Sequence, residues 1–464
     1  MRATHEHGRF KLLAIALLGL AISAGAVRSA QSQGAEPALT PAVAFLRVLL
    51  GTPAQKPAAL EFIKSTWRAD YIPMALDVIY LSRGDPTVAK LVSVMGAKTG
   101  EAFGFDVSQW QQWLWSQPEA VHPQYGQFKS TIYSLIDRKF AGYFADDRER
   151  TIRLDEVVWG GVHQDGIPPL RKPEMITADE ATYLQDDHVV FAISVNGDVR
   201  AYPKRILAWH EMFVDEVGGV KVAGVYCTLC GTVILYETVI NETEHQMGTS
   251  GFLYRSNKLM YDQATQSLWN TMWGTPVIGP LVGRGIQLKR RSVVTTTWGE
   301  WRRRHPDTKV LSLRTGHTRD YSEGAAYREY FATDRLMFKV PVLDDRLLNK
   351  DEVLGLFFRD HPDQTLAIAA KFLATKPVHH DKIGDIELVV LTDKSGANRV
   401  YDAAGLRLVS WDQDMTALDE QGQSWRVEEA SLTRADGTTR ARLPAHRSFW
   451  FGWFSAYPRT RLVH

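Results

Sequence analysis

The apolar period of this chain changes near residue 150. Before that point, apolar side chains recur at helical spacing. After it, they come in short β-branched runs cut by Gly, Asn and Asp. A 3.6-residue period lines one face of a helix and a two-residue period lines one face of a strand, so neither pattern serves the other element. The chain is therefore confined to a helical part followed by a strand-rich part, an α+β class. Residues 42–50 (AVAFLRVLL), 60–67 and 74–81 carry the helical spacing, and 88–95 adds a further apolar segment. Gly51, Pro53, Gly84, Pro86, Gly96 and Gly100 cut these into short helices. Asp106 stands where it can cap a helix whose Trp and Leu side chains (Trp110, Trp113, Leu114, Trp115) pack back on the preceding ones.

The pattern over residues 99–114 resembles the end of a HEAT-like repeat unit. Residues 38–118 are accordingly expected to form a small stack of helical hairpins, followed by a helical linker over 119–155. The expected role of this module is a cap or a dock for a protein partner, without chemistry of its own.

From 156 to 464 the expectation is a mostly antiparallel, barrel- or sandwich-like β domain with a few short helices. Residues 189–195 and 199–202 flank Asn196-Gly197-Asp198, a tight hairpin signal. Residues 220–226 and 232–238 read as strands on either side of the two cysteines. Residues 386–391, the turn Lys394-Ser395-Gly396 and residues 399–402 repeat the plan of the 189–202 hairpin, which suggests an internal echo.

The N-terminus reads as an export signal over residues 1–30. Arg2, Arg9 and Lys11 precede the apolar run 12–22, and Ala24-Gly25-Ala26 supplies small residues for cleavage. The alternative is an uncleaved N-terminal membrane anchor. No later segment approaches a membrane span, so the expected location is periplasmic or extracellular. A net charge of +1 offers no electrostatic reason to expect nucleic acid or anionic lipid as partner.

Several long, ordered motifs carry a family resemblance. They are GGVHQDGIPPL (160–170), AYPKRILAWHE (201–211), YCTLCGT (226–232), GTSGFLYRSN (248–257), MYD (260–262), SLW (267–269) and HRSFWFGW (446–453). Together they resemble the bacterial exported family called domain of unknown function 3179, over about residues 156–464. The resemblance implies a family without an established activity. The family's pattern has Pro between the cysteines where this chain has Thr228.

Cys227 and Cys230 are the only cysteines in 464 residues. In an oxidising space, such a pair is expected to be oxidised or metal-bound. Three readings stay open: a metal site, a disulfide staple and a catalytic redox pair. A thioredoxin-like site needs the pair at a helix N-terminus, and here a β-branched strand follows. A Cys-x-x-Cys-Gly turn between strands supplies half of a tetrahedral site. His210 is the best candidate to complete it, with Met260 and Met247 as softer ones, and such donors suit copper or zinc. The leading expectation is thus metal handling at Cys227, Cys230 and His210. A second is a hydrolase-like enzyme whose pocket gathers Arg205, His210, Glu211, Asn257 and Asp262, with the cysteines as a staple. A third is a non-catalytic interaction protein. Plainer roles are a packed histidine, core methionines, and Asn257 and Asp262 as turn residues. No phosphate loop, G-x-S-x-G elbow or HExxH pair occurs.

Overall fold

The computed structural model describes residues 38–464, apart from Arg83 and Asp146. The export segment expected over residues 1–30 lies outside the described residues. A helical region comes first, with helices Pro41–Leu50, Gln55–Ser65, Ile72–Leu81, Pro86–Thr99, Val107–Ser116 and Tyr125–Ser134. The Asp106 carboxylate accepts from the Gln109 backbone N–H, and Trp110, Leu114 and Trp115 of the helix it caps are buried. A β-rich region of mostly antiparallel sheets and short helices follows. No helix among the described residues is long and apolar enough to cross a membrane.

The helical region shares one core with the first sheet. Phe45, Trp110, Phe128 and Tyr133 belong to the same apolar cluster as Phe252, Leu259 and Tyr261. Phe252, on strand Met247–Tyr254, is ringed by Tyr133, Phe140 and Phe144 at centroid distances of 5.2, 4.9 and 4.9 Å. Residues 119–155, expected as a linker, therefore supply core aromatic residues that join the two regions.

The β-rich region contains one structural unit twice. The first copy runs through strands Val189–Val195 and Asp198–Pro203, helix Lys204–His210, strands Met212–Val217, Val220–Cys227 and Thr232–Glu237, then strand Val294–Thr297, helix Trp298–Arg304 and strand Lys309–Leu311. The second repeats that order: strands Glu352–Leu356 and Leu366–Ala369, helix Ala370–Ala374, strands Val378–Ile383, Ile386–Thr392 and Asn398–Asp402, then strand His446–Phe449, helix Trp450–Ala456 and strand Arg461–Val463. The sheets agree as well. In each copy the strand before the Trp-rich helix pairs antiparallel with the first strand, the first with the second, and the second runs parallel to the last.

Sequence traces of the repeat survive where a contact demands them. Trp298, Trp301, Pro306 and Thr308 recur at the same spacing as Trp450, Trp453, Pro458 and Thr460. In both copies the second Trp donates its indole N–H to the Thr hydroxyl at 3.0 Å, which satisfies a buried donor. The 386–402 hairpin was expected to echo residues 189–202. Its structural counterpart is instead the 220–237 hairpin, which holds the cysteines, because each follows its unit's first helix in the same three-stranded run.

Candidate functional site: a buried cysteine pair

Strand Val220–Cys227 ends on the first cysteine and Thr232 opens the next strand, pairing directly with Cys227. The connecting turn is closed by the Cys230 N–H donating to the Cys227 carbonyl at 3.2 Å. Gly231 takes φ 58°, a conformation that glycine adopts without strain. The second unit's Trp-rich helix then seals the turn. The Phe449 N–H donates to the Cys230 carbonyl at 2.7 Å. A Cβ on Gly452 would stand 2.9 Å from Cys230 Cβ and 3.3 Å from its Sγ, so only glycine lets that helix sit this close.

The cysteines are 3.3 Å apart and both are free thiols. They are 2% and 0% exposed. Cys230 Sγ has the Ser256 carbonyl within reach at 3.4 Å, and the Asn257 side-chain N–H donates to it at 3.4 Å. Beneath the turn lies a buried ion pair, Lys258 Nζ to Glu211 Oε2 at 3.4 Å. Lys258 also donates to the Glu211 carbonyl at 2.7 Å, and Glu211 accepts from the hydroxyls of Thr228 at 2.6 Å and Tyr327 at 3.3 Å. Two buried polar atoms beside Cys230, Ser256 Oγ and Asn257 Oδ1, have no hydrogen-bond partner.

These surroundings set the two thiols apart. For Cys230, burial pushes the pKa well up, and hydrogen bonding to Cys227 pushes it further. For Cys227, burial also acts upward. It is outweighed by the hydrogen bond from Cys230, the Lys258 backbone N–H and the Lys258 charge, so the net shift is downward. Cys227 is the sulfur favoured as thiolate, and Cys230 the one that keeps its proton.

The other residues singled out in the sequence divide into separate places. Glu211 sits at φ 56° just after helix Lys204–His210, so it turns away from its neighbour His210. His210 donates from Nδ1 to the Pro168 carbonyl (2.9 Å) and accepts at Nε2 from the Tyr321 hydroxyl (2.5 Å), which engages both ring nitrogens. Burial lowers its pKa to about 4, in keeping with a neutral ring. Arg205 binds the Tyr321 and Tyr183 carbonyls. Asp262 accepts from His245 Nδ1 at 2.7 Å and caps its own turn through the N–H groups of Ala264 and Thr265. Met247 and Met260 pack with Ile234 and Trp269, in a different apolar cluster from the cysteines. Glu211 and Asn257 thus reach the cysteine pair, while His210, Arg205, Asp262 and Met260 do not. No group of three or more His, Cys, Asp or Glu residues among the described residues is arranged to hold a metal ion.

Sequence reasoning missed Lys258, Gly452, Tyr327 and Tyr330. Lys258 did leave a signal: it is the one cationic residue in strand Asn257–Asp262, where every residue is buried. Tyr327 and Tyr330 come from the long segment 312–351, whose one helical turn is Arg328–Phe331. Tyr330 donates to the Leu229 carbonyl inside the cysteine turn at 2.7 Å.

The second unit's counterpart turn carries no sulfur and is one residue longer: four residues separate the paired Cys227 and Thr232, and five separate Thr392 and Asn398. It runs Asp393-Lys394-Ser395-Gly396-Ala397, with Gly396 left-handed at φ 83° as Gly231 is at 58°. Asp393 closes this turn by accepting from the N–H groups of Ser395 and Ala397. Ser395 meets the Thr296 hydroxyl at 3.0 Å, on the strand leading into the first unit's Trp-rich helix. Each unit's turn therefore rests on the other unit's strand and helix.

Among known proteins, the family described as "Protein of unknown function (DUF3179)" matches residues 164–460. No curated protein and no solved structure matches the chain.

Proposed function

The chain belongs to the DUF3179 family, and we propose that its Cys227–Cys230 turn is a dithiol–disulfide centre. The observation that carries this reading is the pair of counterpart hairpins. The second unit's hairpin closes without cysteine, through Asp393 and the left-handed Gly396, so a turn at this place in the unit does not require sulfur. A staple would use sulfur to hold the turn, whereas redox chemistry uses it to react. No helix N-terminus activates Cys227; Lys258 and the Cys230 thiol lower its pKa instead.

In the proposed half-reaction the Cys227 thiolate attacks a substrate disulfide, breaking its S–S bond and releasing one substrate thiol. Cys230 then loses its proton and attacks the Cys227 sulfur of the mixed disulfide, forming the Cys227–Cys230 bond and releasing the second substrate thiol. The substrate gains two electrons and two protons, and the cysteine pair becomes the disulfide. Glu211, whose charge reaches both thiols, is the carboxylate assigned to take the Cys230 proton. We set this chemistry in the oxidising, exported compartment to which the N-terminal segment points.

A second reading is a copper or zinc ion on the same two sulfurs, supported by their 3.3 Å separation in a glycine-closed turn. With His210 engaged by Pro168 and Tyr321, further ligands would have to come from elsewhere, such as the unpartnered Asn257 Oδ1.

One preparation separates the two readings: protein purified without chelator, analysed for metal, and titrated for thiols across a series of thiol–disulfide buffers. A reversible two-electron transition without stoichiometric metal, abolished by Cys227→Ser and by Cys230→Ser, is the expected result. One equivalent of metal lost in both variants would replace the redox reading with the metal reading. Two thiols that never oxidise in any buffer would overturn it.

A further inference from the structure

Both sulfurs are buried, so exchange with a substrate disulfide needs a part of their cover that can move. The cover has two kinds of wall. Leu253 and Phe449 stand on sheet strands, and Phe451 stands on the helix Trp450–Ala456. Tyr327, Tyr330 and Phe331 pack on the same cluster from residues 322–333, whose only regular structure is the helical turn Arg328–Phe331. Among the described residues, the backbone–backbone hydrogen bonds of this stretch all stay inside it, as from the Ala325 N–H to Ser322, Phe331 to Tyr327 and Ala332 to Arg328. A segment without backbone bonds to its surroundings opens at lower cost than the strands beneath it.

Both feet of the stretch are fixed. At one, the Tyr321 carbonyl accepts from Arg205, its hydroxyl donates to His210, and the Trp209 indole N–H donates to the Asp320 carbonyl at 2.7 Å. At the other, the Asp334 carboxylate accepts from the backbone N–H groups of Asn349 at 3.2 Å and Lys350 at 2.9 Å. Between the feet, side chains do the holding. Tyr330 donates to the Leu229 carbonyl inside the cysteine turn at 2.7 Å, and Tyr327 donates to Glu211 at 3.3 Å. Lys350 Nζ donates to the Tyr330 and Thr333 carbonyls, and Lys204 Nζ lies 4.6 Å from the Phe331 ring centroid. Tyr327 sits at φ 57°, a left-handed conformation that is costly for a bulky side chain. Closure maintains that strain, and opening can release it.

We propose that residues 322–333 are a flap that lifts from the cysteine turn about its feet at Tyr321 and Asp334 and lets a substrate disulfide reach Cys227, with the Tyr330 hydroxyl as its latch. Lifting takes Tyr330 off the Leu229 carbonyl and Tyr327 off Glu211. The second change frees an acceptor position on the carboxylate assigned to take the Cys230 proton. The substrate that is admitted rests on the dithiol reading; the motion of the flap does not.

The test uses the full chain with its thiols reduced. Iodoacetamide alkylation of Cys227, located by mass spectrometry, is followed at urea concentrations below the unfolding transition. Opening a flap exposes little surface, so the rate should barely change with urea, whereas alkylation through global unfolding climbs steeply. Two variants fix the location. Tyr330→Phe removes only the latch hydroxyl and should speed alkylation without urea roughly fivefold, the net effect of one hydrogen bond. Thr308→Val removes the acceptor of the Trp301 indole N–H, outside the flap, and should lower the urea midpoint without speeding alkylation. A wild-type rate that climbs as steeply as global unfolding, an unchanged rate in Tyr330→Phe, or equal acceleration by both variants overturns the flap. A small aromatic disulfide then replaces iodoacetamide. Exchange that Tyr330→Phe speeds by the same factor as alkylation supports the gating of substrate. Alkylation through the flap with no exchange removes the dithiol reading and the substrate role, while the flap stands.

Discussion

At the scale of single residues, the cysteine pair is an asymmetric device. Cys227 is held down by a thiol donor, a backbone N–H and a nearby ammonium, against a burial penalty that both sulfurs share. Cys230→Ala removes the donor but leaves the burial, so the Cys227 pKa should rise. Thiolate absorbance near 240 nm followed against pH checks this, and an unchanged titration would show that the neighbouring sulfur plays no part. His210 makes a second prediction. Its folded pKa of about 4 lies below its ordinary value of 6.5, so protonation favours the unfolded chain. Stability should be full above about 6.5 and fall as the pH drops toward 4. His446, also buried and held low by burial and by Arg290, pushes the same way. Urea midpoints at pH 7 and pH 5 should therefore differ, and His210→Gln should shrink the difference without abolishing it. Legibility at this scale was uneven. Both cysteines, Glu211 and Asn257 stood out in the sequence as reactive types. That His210 would spend its ring on Pro168 and Tyr321 did not, because both partners are distant in the chain and neighbouring residues reveal no such bond.

At the scale of elements, the tail helix Trp450–Ala456 decides how tightly the cysteine turn is closed. Gly452→Ala would drive a methyl group against Cys230 in a close-packed contact. The expected cost is about 1–3 kcal/mol by urea unfolding, the range for overpacking a core. The same variant should change the rate at which Cys230 is alkylated. A variant as stable as wild type, with the same thiol rates, would mean that the helix rides loosely on the turn. The sequence placed this helix only within a family motif. The need for glycine at 452 came from an element more than 200 residues away, so no local pattern could reveal it. The 386–402 hairpin teaches the same lesson. Its strands and its Lys394-Ser395-Gly396 turn were plain from alternation and turn chemistry, but hairpins of this kind look alike. Sheet order, not the hairpin's own residues, identified its counterpart as the cysteine hairpin.

At the scale of the whole molecule, two joins hold the chain together. One is the shared core of helices and first sheet around Phe252. Deleting residues 38–144 should expose Phe252, Leu259 and Tyr261, leaving a fragment 145–464 that aggregates or lacks a cooperative urea transition. A soluble, cooperatively folding fragment would show the helical region to be a separable module. The other is the reciprocal packing of the two units, each turn on the other's strand and helix. The second turn is one residue longer, yet Thr392→Cys/Ser395→Cys should fold with an unfolding midpoint close to wild type and carry a second thiol pair that oxidises in a thiol–disulfide buffer. A variant that cannot fold would show that the second turn has diverged beyond accepting sulfur. What the sequence determined by itself was the class and the order of events: helices up to about residue 150, strands afterwards, a glycine-closed cysteine turn between two of them, and the family. Periodicity, capping and turn residues act over a few positions, and a few positions suffice to read them. Only the tertiary structure decided which side chains share a site. Glu211 and Lys258 came to the thiols, His210 and Asp262 went elsewhere, and a second copy of the unit supplied a lid for the first. Those outcomes depend on how sheets stack and which faces must be buried, a balance struck over the whole chain and written at no single stretch of it.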